Sequence, residues 1–139
     1  VSWVLVQSAL FVVFALLPGN AMHWGSPGIG SIAIGALIIV WSSLRLGRSL
    51  TPFPEPVSGG RFTGTGPYRF VRHPMYLGIF FIAIGFADAT HSITRAALAV
   101  GLAVFFDAKA RHEERALRDR YPAYADYANR TRKFLPFIY

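Results

Sequence analysis

IAIGALIIVW, residues 32–41, and IFFIAIGF, residues 79–86, decide how this chain folds. A helix in a water-soluble bundle sets an apolar stripe against a polar one at a period of 3.6 residues. Neither run carries a polar stripe, and LFVVFALL, residues 10–17, shows none either. A helix that is apolar all round needs apolar surroundings on every side. Four core helices of a soluble bundle are the alternative, and the missing stripes argue instead for helices in hydrocarbon.

Four apolar stretches emerge: Trp3 to Leu17, Ile29 to Leu44, Tyr76 to Ala87 and Ala96 to Phe106. Each falls short of the ~20 residues that cross ~30 Å of hydrocarbon at a rise of about 1.5 Å. With tolerable flanks they lengthen to spans of about 1–18, 28–46, 74–91 and 93–110. The expected fold is therefore all-α: a polytopic membrane protein of about four transmembrane helices in one domain of 139 residues. A loop over 47–73 and a tail over 111–139 lie outside the spans. The first run lacks a basic leader and a following cleavage site, so it is read as a span and not a signal peptide.

The composition is 53% hydrophobic and 15% charged, with a net charge of +7 and no cysteine. Without cysteine there is no disulfide, thiolate ligand or thiol nucleophile. The connection PGNAMHWGSPG has no Lys or Arg, and DATHSITR has only Arg95. The other thirteen of the fourteen basic residues fall in or beside the 47–73 loop and the tail. An excess of Lys and Arg marks the cytoplasmic side, so both termini are expected in the cytosol, in a bacterial-type inner membrane. Trp3, Trp24 and Trp41 lie near span ends, as interface anchors do. Topology accounts for the positive charge, and no nucleic-acid partner is expected.

The chemistry gathers at two cytosolic places. One is GPYRFVRHPMYLG, residues 66–78, where Pro74 suits a first helical turn and sets His73 at a helix N-terminus. Gly59, Gly60, Gly64 and Gly66 bracket Arg61, Phe62 and Thr63, leaving backbone groups open to a ligand. Their spacing matches neither a Walker loop nor a dinucleotide fingerprint. The plain reading of this segment is lipid headgroups on Arg69, Arg72 and His73 beside an aromatic belt of Tyr68 and Tyr76. The other place is the run of the fourth helix into DAKARHEER, residues 107–115, which sets Lys109 and Glu113 one turn apart. Surface salt bridging would explain the pair, but carboxylates this close to the hydrophobic end are costly and tend to be functional. His112 and Glu113 lack a matched third ligand, and His23 and His91 lie on the opposite side, so no metal is expected.

Together, TGTGPYRFVRHPMYLG (63–78), the acidic HEE (112–114) and YPAYADYANRTRKFLPFI (121–138) resemble the integral-membrane isoprenylcysteine carboxyl methyltransferase and phospholipid methyltransferase superfamily. The likeness runs from about Leu50 to Ile138 and leaves the first two spans without a motif. It implies S-adenosylmethionine in a cytosolic pocket formed by the loop before the third helix and the extension of the fourth. It also implies a lipophilic or lipidated acceptor entering from the bilayer. Carried over residue by residue, the cofactor site is Gly60, Arg61, Phe62, Thr63, Tyr68, His73, Pro74, Met75, Tyr76 and Glu113. Lys109 falls where prenylcysteine methyltransferases carry an Arg that meets the substrate carboxylate, and Lys cannot make Arg's planar bidentate contact. Arg111 substitutes only if the helix turns differently, and an amine acceptor would lose its proton to His73, Glu114 or water, with no general base singled out.

The reaction most resembled is prenylcysteine carboxyl methylation. The alternatives are N-methylation of an ethanolamine-type phospholipid and a non-catalytic lipid-binding role. A small transporter would want an ionisable residue inside the bundle, and the first two spans have none short of Arg45 at the end of the second. The tail reads as either a surface anchor or a lid over the pocket, and two copies pairing is a further expectation.

Overall fold

The computed structural model describes residues 2–47, 64–136 and 138–139. Their helices are α1 (Ser2–Leu16), α2 (Pro27–Leu46), α3 (Pro74–Ala89), α4 (Ile93–Arg120) and α5 (Tyr124–Arg130), with a 3-10 turn at Gly66–Arg69. Of these, α2 is long and apolar enough to cross a membrane, and α1 and α3 are shorter apolar helices.

Helices α2 and α3 form the tightest pair, and glycine is the reason. A Cβ added at Gly35 would lie 2.5 Å from the Gly78 carbonyl oxygen, and one at Gly85 would lie 2.6 Å from that of Gly28. These positions recur every seven residues on both helices, so the backbones meet along one seam. Ser42 continues the seam and is fully buried. Its hydroxyl donates to the Ile38 carbonyl at 2.6 Å, so no polar group is stranded there. The buried residues of α2 are Gly28, Gly35 and Ser42, while Leu37 and Leu44 are more than two-thirds exposed, at 70% and 76%. Small residues inside and large apolar ones outside invert the water-soluble pattern and suit hydrocarbon.

Helix α4 packs on the other side of α3 through Ala83, Ala99, Leu102 and Phe106, with Leu10 and Phe14 of α1 laid against them. A sharp turn joins α3 to α4, with His91 in the left-handed region at φ 45°. Ser92 caps α4 by accepting from the Arg95 N–H at 3.3 Å. The Arg95 guanidinium reaches Thr90 Oγ1 at 2.9 Å and the Leu17 carbonyl at 2.8 Å, tying the end of α1 to this turn. Asp88 accepts from Ser26 and from the Gly28 N–H, fastening the start of α2 at the same end. The α1–α2 connection thus sits on the α3–α4 turn, and the 64–73 segment lies at the opposite end with the tail.

The tail docks on the protein. Helix α4 ends at Arg120, just before Pro122. Tyr124 and Tyr127 are buried, and residues 131–133 run beside 70–73. The Arg72 N–H donates to the Arg132 carbonyl at 2.8 Å and the His73 N–H to that of Lys133 at 3.1 Å.

Candidate active site

His73 stands immediately before α3, with Pro74 in the first turn. Gly66, at φ 60°, brings the preceding turn against the Arg45 side chain, where an added Cβ would sit 2.7 Å from Cγ. That fixes Tyr68, whose carbonyl also accepts from the Tyr127 hydroxyl at 2.5 Å. Helix α4 supplies the facing wall. Phe106, Lys109, Ala110 and Glu114 are buried along it, one helical stripe that changes from apolar to charged as it passes Tyr76.

Two adjacent carboxylates divide the work. Glu113 Oε1 accepts from the Tyr76 hydroxyl at 2.5 Å and lies 3.8 Å from Lys109 Nζ. Its Oε2 lies 3.7 Å from His73 Nδ1. Glu114 Oε1 meets His73 Nε2 at 3.0 Å and accepts from Arg72 Nε at 2.8 Å. Arg72 also donates to the Ala128 and Thr131 carbonyls, at 2.9 and 2.6 Å. One guanidinium therefore joins Glu114 to the docked tail. The His73 ring stacks on Tyr76 with centroids 5.4 Å apart and an interplanar angle of 1°, and Phe134 of the tail lies 5.8 Å from it. Lys109, only 1% exposed, holds its ammonium 5.5 Å from the Tyr76 ring centre.

The carboxylates are tuned in opposite directions. Burial raises the Glu113 pKa, and His73, Tyr76 and Lys109 offset this only in part. Burial would raise Glu114 too, but hydrogen bonds from His73 and Arg72 outweigh it and hold the group at about 2. Burial, with a smaller contribution from Glu113, pushes the Tyr68 hydroxyl up to about 12. A neutral Tyr68 and an anionic Glu114 are thus built into the site.

The structure gathers Tyr68, His73, Pro74, Met75, Tyr76, Lys109, Glu113 and Glu114 at one end of α3 and α4. Arg111 is elsewhere: its guanidinium is on Asp107 at 2.5 Å, with the side chain 63% exposed. Two residues along a helix from Lys109 is about 200° around it, so Arg111 faces away from the cluster. Gly60, Arg61, Phe62 and Thr63 lie outside the described residues. Sequence reasoning passed over Arg72 as a site residue, and it missed Gln7 of α1, whose Oε1 accepts from Lys109 Nζ at 2.6 Å. The signal for Arg72 was its place beside His73. Gln7 could have been found as a polar residue on the α1 face formed by Trp3, Leu10 and Phe14. Among the described residues, no group of three or more His, Asp and Glu side chains could hold a metal ion.

The fold falls in a class with a solved helical membrane methyltransferase. Over 99% of its length the chain matches the eukaryotic intramembrane Ras methyltransferase, isoprenylcysteine carboxyl methyltransferase, with a TM-score of 0.73 and 25% identity, covering 52% of that chain. Within that class, a model described as phospholipid methyltransferase matches residues 24–124, and the chain belongs to the phospholipid methyltransferase family. It is similar to a nickel-cobalt-cadmium resistance protein of Alcaligenes xylosoxydans xylosoxydans, at 34% identity over 96% of this chain and 62% of that protein. A cobalt-zinc-cadmium resistance protein of Cupriavidus metallidurans is 29% identical over 91% of this chain and 59% of its own length. The chain spans about three-fifths of the length of these curated relatives.

Proposed function

We propose that this protein transfers a methyl group from S-adenosylmethionine to a lipophilic carboxylate at the cytosolic face of a membrane crossed by α1 to α4. The observation that carries this reading is the neighbouring pair of Glu113 and Lys109, a carboxylate and an ammonium held 3.8 Å apart against the Tyr76 ring. A cationic cofactor and an anionic acceptor need one group of each sign side by side.

The residues fit the cofactor. Glu113 retains acceptor capacity beyond its bond from Tyr76, because a carboxylate offers about four lone-pair sites. The faces of Tyr76 and His73 suit a cation. When bound, S-adenosylmethionine supplies a methyl group on cationic sulfur. Glu113 holds the amino-acid end, and Tyr76 keeps the Glu113 carboxylate in place. The family resemblance adds Gly60, Arg61, Phe62 and Thr63 to the proposed cofactor contacts, together with Tyr68, Pro74 and Met75. Lys109 orients the acceptor carboxylate, which is already ionised and needs no base. Phe134 and the docked tail exclude water, so the site acts through orientation and dehydration.

The family description supports a second acceptor, a phospholipid amine. An amine must lose a proton, and the His73–Glu114 pair is placed to take it. Lys109 disfavours this acceptor, since its charge repels an ammonium. The names of the two resistance proteins bear on when the activity is used, so acceptors are best sought in lipid extracts from cells grown with and without nickel, cobalt or cadmium.

The test is calorimetric binding of S-adenosylhomocysteine to the detergent-purified protein and to Glu113→Gln. Wild type is expected to bind and E113Q to bind at least tenfold more weakly, roughly the loss of one charge-assisted hydrogen bond. Because burial raises the Glu113 pKa, wild-type affinity should begin to fall at a higher pH than an ordinary glutamate would give, as the carboxyl gains its proton. Equal binding by E113Q would overturn the assignment.

A further inference from the structure

Lys133 of the tail is held at both ends. Its carbonyl accepts from the His73 N–H at 3.1 Å, and its ammonium reaches Asp107 Oδ1 on α4 at 2.7 Å. The neighbour of Asp107, Phe106, stacks on Tyr76 with ring centroids 4.5 Å apart, so Asp107 stands at the level of Tyr76. Tyr76 lies about one helical turn further into the bundle than His73. Lys133 thus carries the tail inward, along the outside of α4. Past it, the Phe134 and Leu135 N–H groups donate to the Tyr139 carbonyl at 2.8 and 2.7 Å. The Tyr139 hydroxyl then donates to the same Asp107 oxygen at 3.0 Å.

What this part of the tail shows to its surroundings is apolar. Leu135 and Tyr139 are about half exposed and Ile138 is 79% exposed. Val104 precedes Asp107 by three residues, on the same side of α4, and is exposed as well. The tip of the tail therefore continues the apolar outer surface of a helix that has no polar face to turn to water. The charges beside it are matched. Asp107 meets Lys133 on one oxygen and Arg111 on the other, which leaves no isolated carboxylate at the rim of the span. The Lys133 ammonium also lies 5.9 and 5.4 Å from the ring centres of Phe134 and Tyr139. Arg130 and Arg132, both exposed, stand where lipid headgroups would meet them.

We infer that Leu135, Ile138 and Tyr139 enter the hydrocarbon edge of the cytosolic leaflet beside α4, with Asp107 as the post that holds them there. The partner of this surface is the lipid itself. Because Lys133 also holds the backbone of His73, the lipid contact helps to keep the tail docked on the site. The inference rests on α4 crossing the membrane and is independent of which group is methylated.

The test uses the full chain, which has no cysteine of its own, reconstituted in vesicles of phosphatidylcholine and phosphatidylglycerol. Nitroxide labels are placed singly at Leu135→Cys, Ile138→Cys, Val104→Cys and Asp119→Cys. Each is read for collision with oxygen, which concentrates in hydrocarbon, and with a water-soluble nickel chelate, which stays out of it. L135C and I138C are expected to match V104C, favouring oxygen and losing most of their collision with the chelate, while D119C shows the reverse. Adding Asp107→Asn to I138C should return that label to water and restore chelate collision to the D119C level. Tip labels as open to the chelate as D119C overturn the inference, and an I138C label that keeps its depth in D107N overturns the role of Asp107. A V104C label open to the chelate would sink the placement of α4 in the membrane, and the inference with it. None of these readings uses cofactor binding, so the methyltransferase proposal stands or falls separately.

Discussion

At the scale of single residues, the site depends on two neighbouring glutamates given different surroundings. Glu113 faces Tyr76 and Lys109, while Glu114, about 100° further round the helix, faces Arg72 and His73. Replacing Glu114 by Gln leaves Arg72 and His73 without their shared carboxylate. The expected cost is about 2–3 kcal/mol, the range for breaking a largely buried, hydrogen-bonded charge pair. It is read as a lower denaturation midpoint in detergent. The sign of the pH effect follows from the pKa. Glu114 drops from the ordinary 4.5 to about 2 on folding, so its contribution is complete above pH 4.5 and is lost as the pH falls toward 2. E114Q should flatten that part of the stability profile.

At the scale of elements, the glycine seam places the two functional ends. Gly35→Ala puts a methyl carbon 2.5 Å from the Gly78 carbonyl and 3.0 Å from the Ile82 nitrogen, so α2 and α3 must separate. The expected outcome is a lower melting temperature with a loss of about 1–3 kcal/mol, the usual cost of overpacking. Gly30 on the same helix has nothing within 4 Å of an added Cβ. Gly30→Ala should leave the melting temperature unchanged or raise it slightly, since alanine is the better helix former by about 1 kcal/mol. Thermal unfolding of the pair separates helix propensity from close packing. If Gly35→Ala melted like Gly30→Ala, the seam would not be what holds α2 to α3.

At the scale of the whole molecule, the end bearing the α1–α2 connection and the α3–α4 turn has Arg95 as its lysine or arginine, and the opposite end carries the site and the docked tail. The proposed orientation puts the site end in the cytosol. The chain has no cysteine, so single cysteines can report on this directly. Gly25, in the exposed α1–α2 connection, and Asp119, exposed near the end of α4, are suitable places. A membrane-impermeant maleimide applied to intact cells should label Gly25→Cys and leave Asp119→Cys unlabelled until the cells are permeabilised. Labelling of both in intact cells, or the reverse order, would overturn the orientation.

Hydropathy by itself determined that this chain forms apolar helices without a polar face, because a helix records its surroundings in the residues all round it. The same reading located the His73-Pro74 start of α3 and the unbroken passage of α4 into charged residues, since proline geometry and helical spacing are local properties. The motif between Gly66 and Gly78 and the acidic pair made the family legible as well. Only the tertiary structure decided which polar residues share a site. Arg111 and Lys109 are two positions apart and equally basic in the sequence, but helix rotation turns one toward Asp107 and the other toward Tyr76. The tail and Gln7 reach the site from 59 and 102 residues away, at Arg72–Thr131 and Gln7–Lys109. Contacts over such separations depend on how the helices pack, and no local pattern of residues encodes them.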